Sequence, residues 1–351
     1  MIKFFCACGA TVFFDSNECK ACQRKIAFNP ATLRFQPLEQ VSNNISCIDV
    51  EPSWRLCENG IHYDVCNWLR PSSAESKLCF ACQFNRYIPN LSRTNNIRLW
   101  RVLELNKRHL LLNLISLGIP CINAWKSPND GFLFDFLEDF RDGTDEEGTF
   151  VTTGYAGGII TINILEAEPL SRVAQQEASN EVYRTVLGHM RHEIGHHFFQ
   201  CIKGDQRLHS NFEQKFGLSS LNYSNALAEF YASGPDSNWS EYCITAYASA
   251  HPMEDWAETW SHYLHIYDAL DTAFNFGLVS ENPNVMSIHE KIAHWRQFSV
   301  ALNEMNRSMG MSDIYPFVIN AQVEDKLAFI EQAIDYLRNK SQSSVSLLPL
   351  P

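Results

Sequence analysis

Apolar and polar residues alternate differently in the two halves of the chain. Residues 1 to about 90 are Cys-rich, show no sustained helical period and are punctuated by Pro30, Pro37, Pro52, Pro71 and Pro89, the pattern of a region held by metal more than by a core. After Pro89 the period becomes helical. Ile97, Trp100, Leu103, Leu110, Leu111, Leu114 and Leu117 share one side of a helix over 97–117, with Arg98, Arg101, Glu104, Lys107 and Arg108 elsewhere, and Gly118 and Pro120 end it. FLFDFLEDF and TFVTTG read as short strands around an acidic turn at 141–148, and GGIITINILEAE at 157–168 as a further strand with a β-branched centre. Helices are predicted over about 177–202, 222–233, Pro252 to about Ala269, 286–306 and 322–339. The class is therefore α+β: a mixed sheet followed by a helical half, preceded by a small Cys-rich region. The domains expected are a small Cys-rich region at 1–90 with two groups of four cysteines, a larger domain at 91–340 holding the mixed sheet and the helical half, and a flexible tail at 341–351.

Composition sharpens this reading. A chain of 351 residues with 45% apolar residues buries a substantial core. The net charge of -12 lowers the prospect of phosphate-driven nucleic-acid binding, although Lys20, Arg24 and Lys25 give local positive charge. No window approaches a membrane span, and MIKFFCACG lacks the long apolar stretch of a signal peptide. A cytoplasmic protein is expected, in which the 12 cysteines are thiols or metal thiolates.

Nine of those cysteines fall in the first 82 residues. Cys6, Cys8, Cys19 and Cys22 read as one tetrahedral zinc site, and Cys57, Cys66, Cys79 and Cys82 as a second, because a Cys-x2-Cys turn offers two thiolates with backbone N–H groups aimed at the sulfurs. Cys47 and His62 are substitutes should one thiol be misassigned. Cys121, Cys201 and Cys243 lie alone in apolar surroundings and read as core thiols.

His192-Glu193-Ile194-Gly195-His196 stands within the 177–202 helix. Residues four apart on a helix lie one above the other, so His192 and His196 can present two imidazoles to one metal ion while Glu193 reaches the same cleft as general base. Val182, Val186, Leu187, Ile194 and Phe198 give that helix a face to bury, and Gly195 suits a place where another backbone comes close. His189 and His197 read first as ordinary helix histidines. The third ligand is expected from 251–268, where Glu258 ranks first, between Trp256, Ala257 and Trp260, followed by His262 and then Glu254. Glu254 and Asp255 also fit ordinary helix-start chemistry. His262, His265, Tyr242 and Tyr247 are candidates for supporting a ligand or donating to an oxyanion.

These segments together, GHMRHEIGHHFF at 188–199, SAHPMEDWAETWSHYLH at 249–265, the 157–168 strand, and the CxCG, LCENGIHYDVCNWL and CFACQFNRYIPNLS segments, resemble a family of bacterial zinc-binding metallopeptidases with an N-terminal zinc-ribbon domain. One departure is the single residue between Cys6 and Cys8, where ribbons commonly have two. The resemblance implies a divergent zincin with His192 and His196 as ligands, Glu193 as base and Glu258 as the downstream glutamate. It also implies an edge-like strand at 157–168 that pairs with a substrate peptide. Three zinc ions are expected, one catalytic and two structural. The function expected is hydrolysis of peptide bonds in a peptide or protein substrate. The alternative is a protein-binding ribbon module, less readily a nucleic-acid-binding one, joined to an inactive zincin domain.

Overall fold

Five aromatic side chains shape the N-terminal region. Phe4, Phe14, Phe28, Phe35 and Trp68 are buried; Phe4 and Phe14 stack, and the other pairs meet edge-on or tilted, with Phe28 between Phe4 at 5.5 Å and Trp68 at 5.2 Å. The computed structural model describes residues 2–41, 44–47, 53–138, 151–173 and 185–343, and they divide between two compact units. The first unit comprises Ile2–Leu112 and the described residues of Cys121–Arg172. Its opening hairpin pairs β1 (Phe4–Phe5) with β2 (Thr11–Val12). The chain turns there through Gly9 at φ +88°, a conformation that costs glycine little.

An antiparallel five-stranded meander follows in simple order: β3 (Ile26–Asn29), β4 (Arg34–Val41), β5 (Asn44–Cys47), β6 (Trp54–Leu56) and β7 (Leu69–Pro71). The expectation that metal rather than a core holds this region is corrected by this sheet and its aromatic filling. Successive aromatic residues fall far apart in sequence and converge only when the strands pair, so no local period announces them. The short helix α1 (Glu58–Tyr63) ends with Asp64 in the left-handed region.

The second sheet of this unit has the order β10, β11, β9, β8, comprising β8 (Asn85–Tyr87), β9 (Leu133–Leu137), β10 (Gly154–Ala156) and β11 (Ile159–Asn163). β8 and β11 run parallel to β9, and β10 runs antiparallel to β11. The mixed sheet is as expected, but the edge-like strand is not. β11 has a neighbour on each side, its strand ends at Asn163, and residues 164–167 turn into a 3₁₀ helix. Among the described residues of TFVTTG only Gly154 belongs to a strand, and the acidic turn at 141–148 lies outside the described residues. The long helix α2 (Asn96–Ser116) forms as the period predicts.

The second unit comprises Asn113–Pro120 and the described residues of Val173–Leu347. Its helices are α3 (Val186–Ile202), α4 (Gln206–Phe216), α5 (Tyr223–Ser233), α6 (Pro252–Asn275), α7 (Ile288–Ser308) and α8 (Ala321–Ser343). Residues 177–184 of the predicted first helix lie outside the described residues, as do 344–351 of the predicted tail. Helix α4 is not among the predicted elements, because eight of its positions are polar or charged. Its signals are nonetheless present: Asp205 caps its N-terminus, Leu208, Phe212 and Phe216 recur at every fourth position, and Gly217 ends it.

The core of this unit is aromatic where α3, α4, α6 and α8 meet. Trp256 lies 6.0 Å from Phe199, 5.9 Å from Phe216 and 5.9 Å from Phe329, and Phe198 stacks on Trp260 at 4.9 Å. Helices α3 and α6 touch most closely at Gly195. A Cβ there would stand 3.2 Å from the Ala257 Cα and 3.2 Å from the Trp260 Cβ, and the Trp256 indole N–H donates to the Gly195 carbonyl at 2.8 Å. Neither neighbour can yield, since Ala257 presents backbone and Trp260 is fully buried. Gly195→Ala therefore meets an overpacking cost of about 1–3 kcal/mol against roughly 1 kcal/mol gained in helix propensity. Net destabilisation is expected, read as a lowered urea midpoint.

Candidate metal centre

Helix α3 starts where the Thr185 hydroxyl accepts from the Gly188 N–H at 2.9 Å. Two turns later His192 and His196 stack along one face, with ring centroids 4.9 Å apart. Helix α6 crosses opposite them. Its N-cap is His251, whose ring accepts from the Met253 N–H at 3.0 Å, and Pro252 occupies the first turn, where no N–H is needed. Glu254 then projects from that first turn into the interior, 1% exposed.

Three donors converge. His192 Nε2 lies 3.0 Å from Glu254 Oε2, His196 Nε2 lies 3.2 Å from His192 Nε2 and 3.5 Å from Glu254 Oε1, and all three donor atoms fall within 4.8 Å of one another. Glu258, which ranks first in sequence as third ligand, occupies a different place. Its Oε1 meets the other nitrogen of His192, Nδ1, at 2.7 Å, and its Oε2 accepts from the Thr245 hydroxyl at 2.7 Å. One turn of helix explains the exchange: residues 254 and 258 share a face of α6, and Glu254 reaches the Nε2 side while Glu258 reaches the Nδ1 side. The position of Glu254, three residues after the cap, is where helix-start glutamates belong, so in the sequence it reads as ordinary capping chemistry.

The electrostatics call for a cation. Burial would raise the Glu254 carboxyl, but the hydrogen bond and charge of His192 outweigh it and hold Glu254 at about 2. Glu258 is likewise lowered, against burial, by His192. Burial works against a charged His192, yet the two carboxylates push its pKa well above the ordinary value. Burial brings His196 down to about 4, although Glu254 opposes this. His192 is thus drawn toward positive charge by two carboxylates, that of Glu254 buried and that of Glu258 partly buried. Two imidazole nitrogens and a carboxylate, with Nδ1 of one imidazole engaged by a second carboxylate, are a donor set that fits zinc.

Glu193 is buried on the same helix. Tyr223 and Tyr247 are both raised in pKa by burial first, then by the charge of Glu254, with a smaller contribution from Glu193. Glu193 and the two phenols are therefore within electrostatic reach of one another. Tyr247 lies with its ring 6.0 Å from His192. Tyr223, which sequence reasoning passes over, donates its hydroxyl to Glu254 Oε1 at 2.8 Å. Thr245 is missed as well, and nothing local in the sequence marks either residue.

Other candidates lie elsewhere. Tyr242 donates to Asp236 at 2.8 Å. His262 Nδ1 pairs with the Tyr315 hydroxyl at 2.8 Å, and burial lowers it to about 4. His265 Nδ1 faces Arg191 at 2.6 Å, His197 faces Cys201 at 3.6 Å, and His189 takes no place in the three-donor group. Cys121 and Cys243 are buried, and burial pushes each thiol up to about 12. The side chain of Cys47 lies outside the described residues, and His62 packs against Tyr63.

The eight remaining thiols form two quartets, Cys6, Cys8, Cys19, Cys22 and Cys57, Cys66, Cys79, Cys82, each with its sulfurs within 4.8 Å of one another. Cys6 to Cys22 and Cys8 to Cys19 are both 3.7 Å, and Cys66 to Cys79 is 3.6 Å. Four sulfurs at about 2.3 Å from one zinc ion lie about 3.8 Å apart. The short Cys6-x-Cys8 pair therefore reaches ribbon geometry. Backbone N–H groups lower Cys19 to about 7, that of Cys22 first, and in the second quartet the N–H groups of Trp68 and Cys79 approach Cys66 at 3.5 Å and Cys57 at 3.3 Å.

Behind that quartet lie three charges of α2 that the helical period assigns outside the apolar face. Glu104, Lys107 and Arg108 are buried. Lys107 pairs with Glu104 at 2.9 Å, and Arg108 donates to Asn67 at 2.6 Å. Burial opposes the charge on Arg108, but Cys66, Glu104 and Cys82 raise its pKa. Four thiolates about a dication would retain two negative charges, and the guanidinium of Arg108 lies within their electrostatic reach, while Lys107 answers Glu104.

This donor chemistry agrees with the relationships of the chain. Residues 96–333 match the family described as "Putative zinc-binding metallo-peptidase", and residues 3–93 match a zinc-ribbon domain. The chain belongs to that metallo-peptidase family. It is also 34% identical over 344 residues to proteins of Mycobacterium bovis and of two Mycobacterium tuberculosis strains, described only as uncharacterized, covering 95% of this chain and 96% of theirs. No solved structure matches it. Among the described residues no helix is long and apolar enough to cross a membrane.

Zinc titration separates the two glutamates. Glu254→Gln is expected to abolish binding at this centre, whereas Glu258→Gln weakens it by roughly 10- to 100-fold, as measured by competition with a chelating dye.

Proposed function

We propose that the protein is a zinc-dependent peptidase in which His192, His196 and Glu254 hold the catalytic ion and Glu193 is the general base. The observation that supports this most directly is the convergence of those three donors beside buried Glu193, in a chain of the zinc-binding metallo-peptidase family. A bound zinc ion supplies Lewis acidity, bringing the pKa of a bound water toward about 7 and polarising a carbonyl.

The chain's own groups do the rest. Glu193 accepts the proton of the attacking water and passes it to the leaving amine. Glu258, braced by Thr245, takes the Nδ1 proton of His192 in hydrogen bonding and leaves the Nε2 lone pair for the ion. Tyr247, whose phenol burial keeps protonated, donates to the oxygen on which negative charge develops. The two thiol quartets take structural zinc, which makes three ions per chain, and a chain this rich in thiols suits a cytoplasmic location. The substrate is a peptide or protein, and the ribbons are a further place for a protein partner.

A second reading rests on Phe5 and Phe13, 50% and 68% exposed on the first hairpin. They suit protein contact by the ribbon, and in that reading the α3–α6 centre is inactive.

The deciding experiment compares wild type with Glu193→Gln on a peptide library digested from a proteome. The variant is expected to keep all its zinc by elemental analysis and to lose roughly 10²- to 10⁴-fold in hydrolysis. Undiminished hydrolysis by the variant overturns the proposed base. Zinc in the thiol quartets alone in the wild type, without hydrolysis, supports the binding reading.

A further inference from the structure

Helix α5 is unusual among the helices of its unit. Its sequence is YSNALAEFYAS, yet none of its side chains is buried. Left-handed glycines flank it, Gly217 at φ +103° and Gly234 at φ +79°, and Asn222 caps its N-terminus through the Asn225 N–H at 2.9 Å. Tyr223 packs edge-on against His251 at 5.2 Å, and Phe230 packs edge-on against Tyr247 at 5.7 Å. The Tyr223 hydroxyl donates to Glu254 Oε1 at 2.8 Å. All of these partners are the centre's own supports: His251 caps α6, Tyr247 faces His192, and Glu254 is one of the three converging donors.

We infer that Tyr223 is a positioning residue for Glu254, delivered by a helix that rests on the metal centre rather than in the core. The physical argument turns on the two carboxylate oxygens. Oε2 faces His192 Nε2 at 3.0 Å, whereas Oε1 stands farther from His196, at 3.5 Å, and accepts the phenol hydrogen bond. That bond fixes the rotation of the carboxylate about its last bond and leaves Oε2 turned toward the His192 imidazole. Without it the carboxylate is free to rotate, and part of the affinity for a cation is spent on ordering it. This inference rests on the assignment of Glu254 as a ligand in the reading above, but it concerns ion retention and not turnover.

The test is zinc affinity of the full chain in competition with a chelating dye, measured in the Glu193→Gln background so that hydrolysis plays no part. Tyr223→Phe removes one hydroxyl from a half-exposed side chain, so the fold is expected to keep its thermal midpoint. Affinity for one zinc ion should fall roughly 10- to 100-fold, while the ions of the two thiol quartets stay. Tyr231→Phe serves as the control, since Tyr231 is 69% exposed on the same helix and should leave all affinities unchanged. Unchanged affinity in Tyr223→Phe, an equal loss in Tyr231→Phe, or absence of any ion beyond those of the quartets would overturn the inference. A Tyr223-dependent affinity in a chain whose wild type hydrolyses nothing would leave it standing and remove the peptidase reading instead.

Discussion

Two carboxylates on one helix, one buried and one partly buried, set against one imidazole on another, are the constraint from which the rest of the second unit follows. Glu254 and Glu258 lie a turn apart and close on the two nitrogens of His192 at 3.0 Å and 2.7 Å. A carboxylate out of water is costly unless positive charge and hydrogen bonds answer it. The unit therefore needs α3 and α6 held face to face at a fixed rotation. Gly195 permits the close approach, Trp256 and Trp260 wall it in, and the His251 cap with Pro252 sets where α6 begins.

The thiol quartets solve a similar problem differently. Their negative charge is answered by backbone N–H groups and, at the second quartet, by the buried Arg108 of α2. Those sites offer four protein ligands, as structural zinc does, whereas the α3–α6 centre offers three. The difference in donor number, and not in metal, separates a brace from a place where a further ligand can enter. The aromatic core of the first unit adds to the brace, which is why the ribbon region carries a five-stranded sheet that its proline-punctuated sequence does not advertise.

Several features are legible in the sequence because they depend on spacing within one element. His192 and His196 are four apart on a helix with an apolar face, and that alone makes them a pair. The thiol pairs are legible for the same reason, and the long helices α2, α3, α6, α7 and α8 announce themselves by period. Features that depend on two elements meeting are misread. Residues 157–168 look like an edge strand until β10 and β9 pair on both sides of β11. Glu104, Lys107 and Arg108 look like a solvated face until the second quartet lies against them.

The amino-acid sequence by itself determined which residue types could bind metal and in what groups: two sets of four thiols, and two imidazoles with a glutamate beside them. It also determined the family, through motifs that span most of the chain. Tertiary structure alone decided which carboxylate completes the third group. Glu254 and Glu258 share a helix face and both carry the right chemistry, and only the rotation of α6 against α3 turns one toward Nε2 and the other toward Nδ1. It likewise brought Tyr223 and Thr245 to those carboxylates, from segments with no periodic relation to them. Spacing along a chain fixes what lies on one helix, and the docking of a second helix, set by packing at Gly195, fixes what it meets.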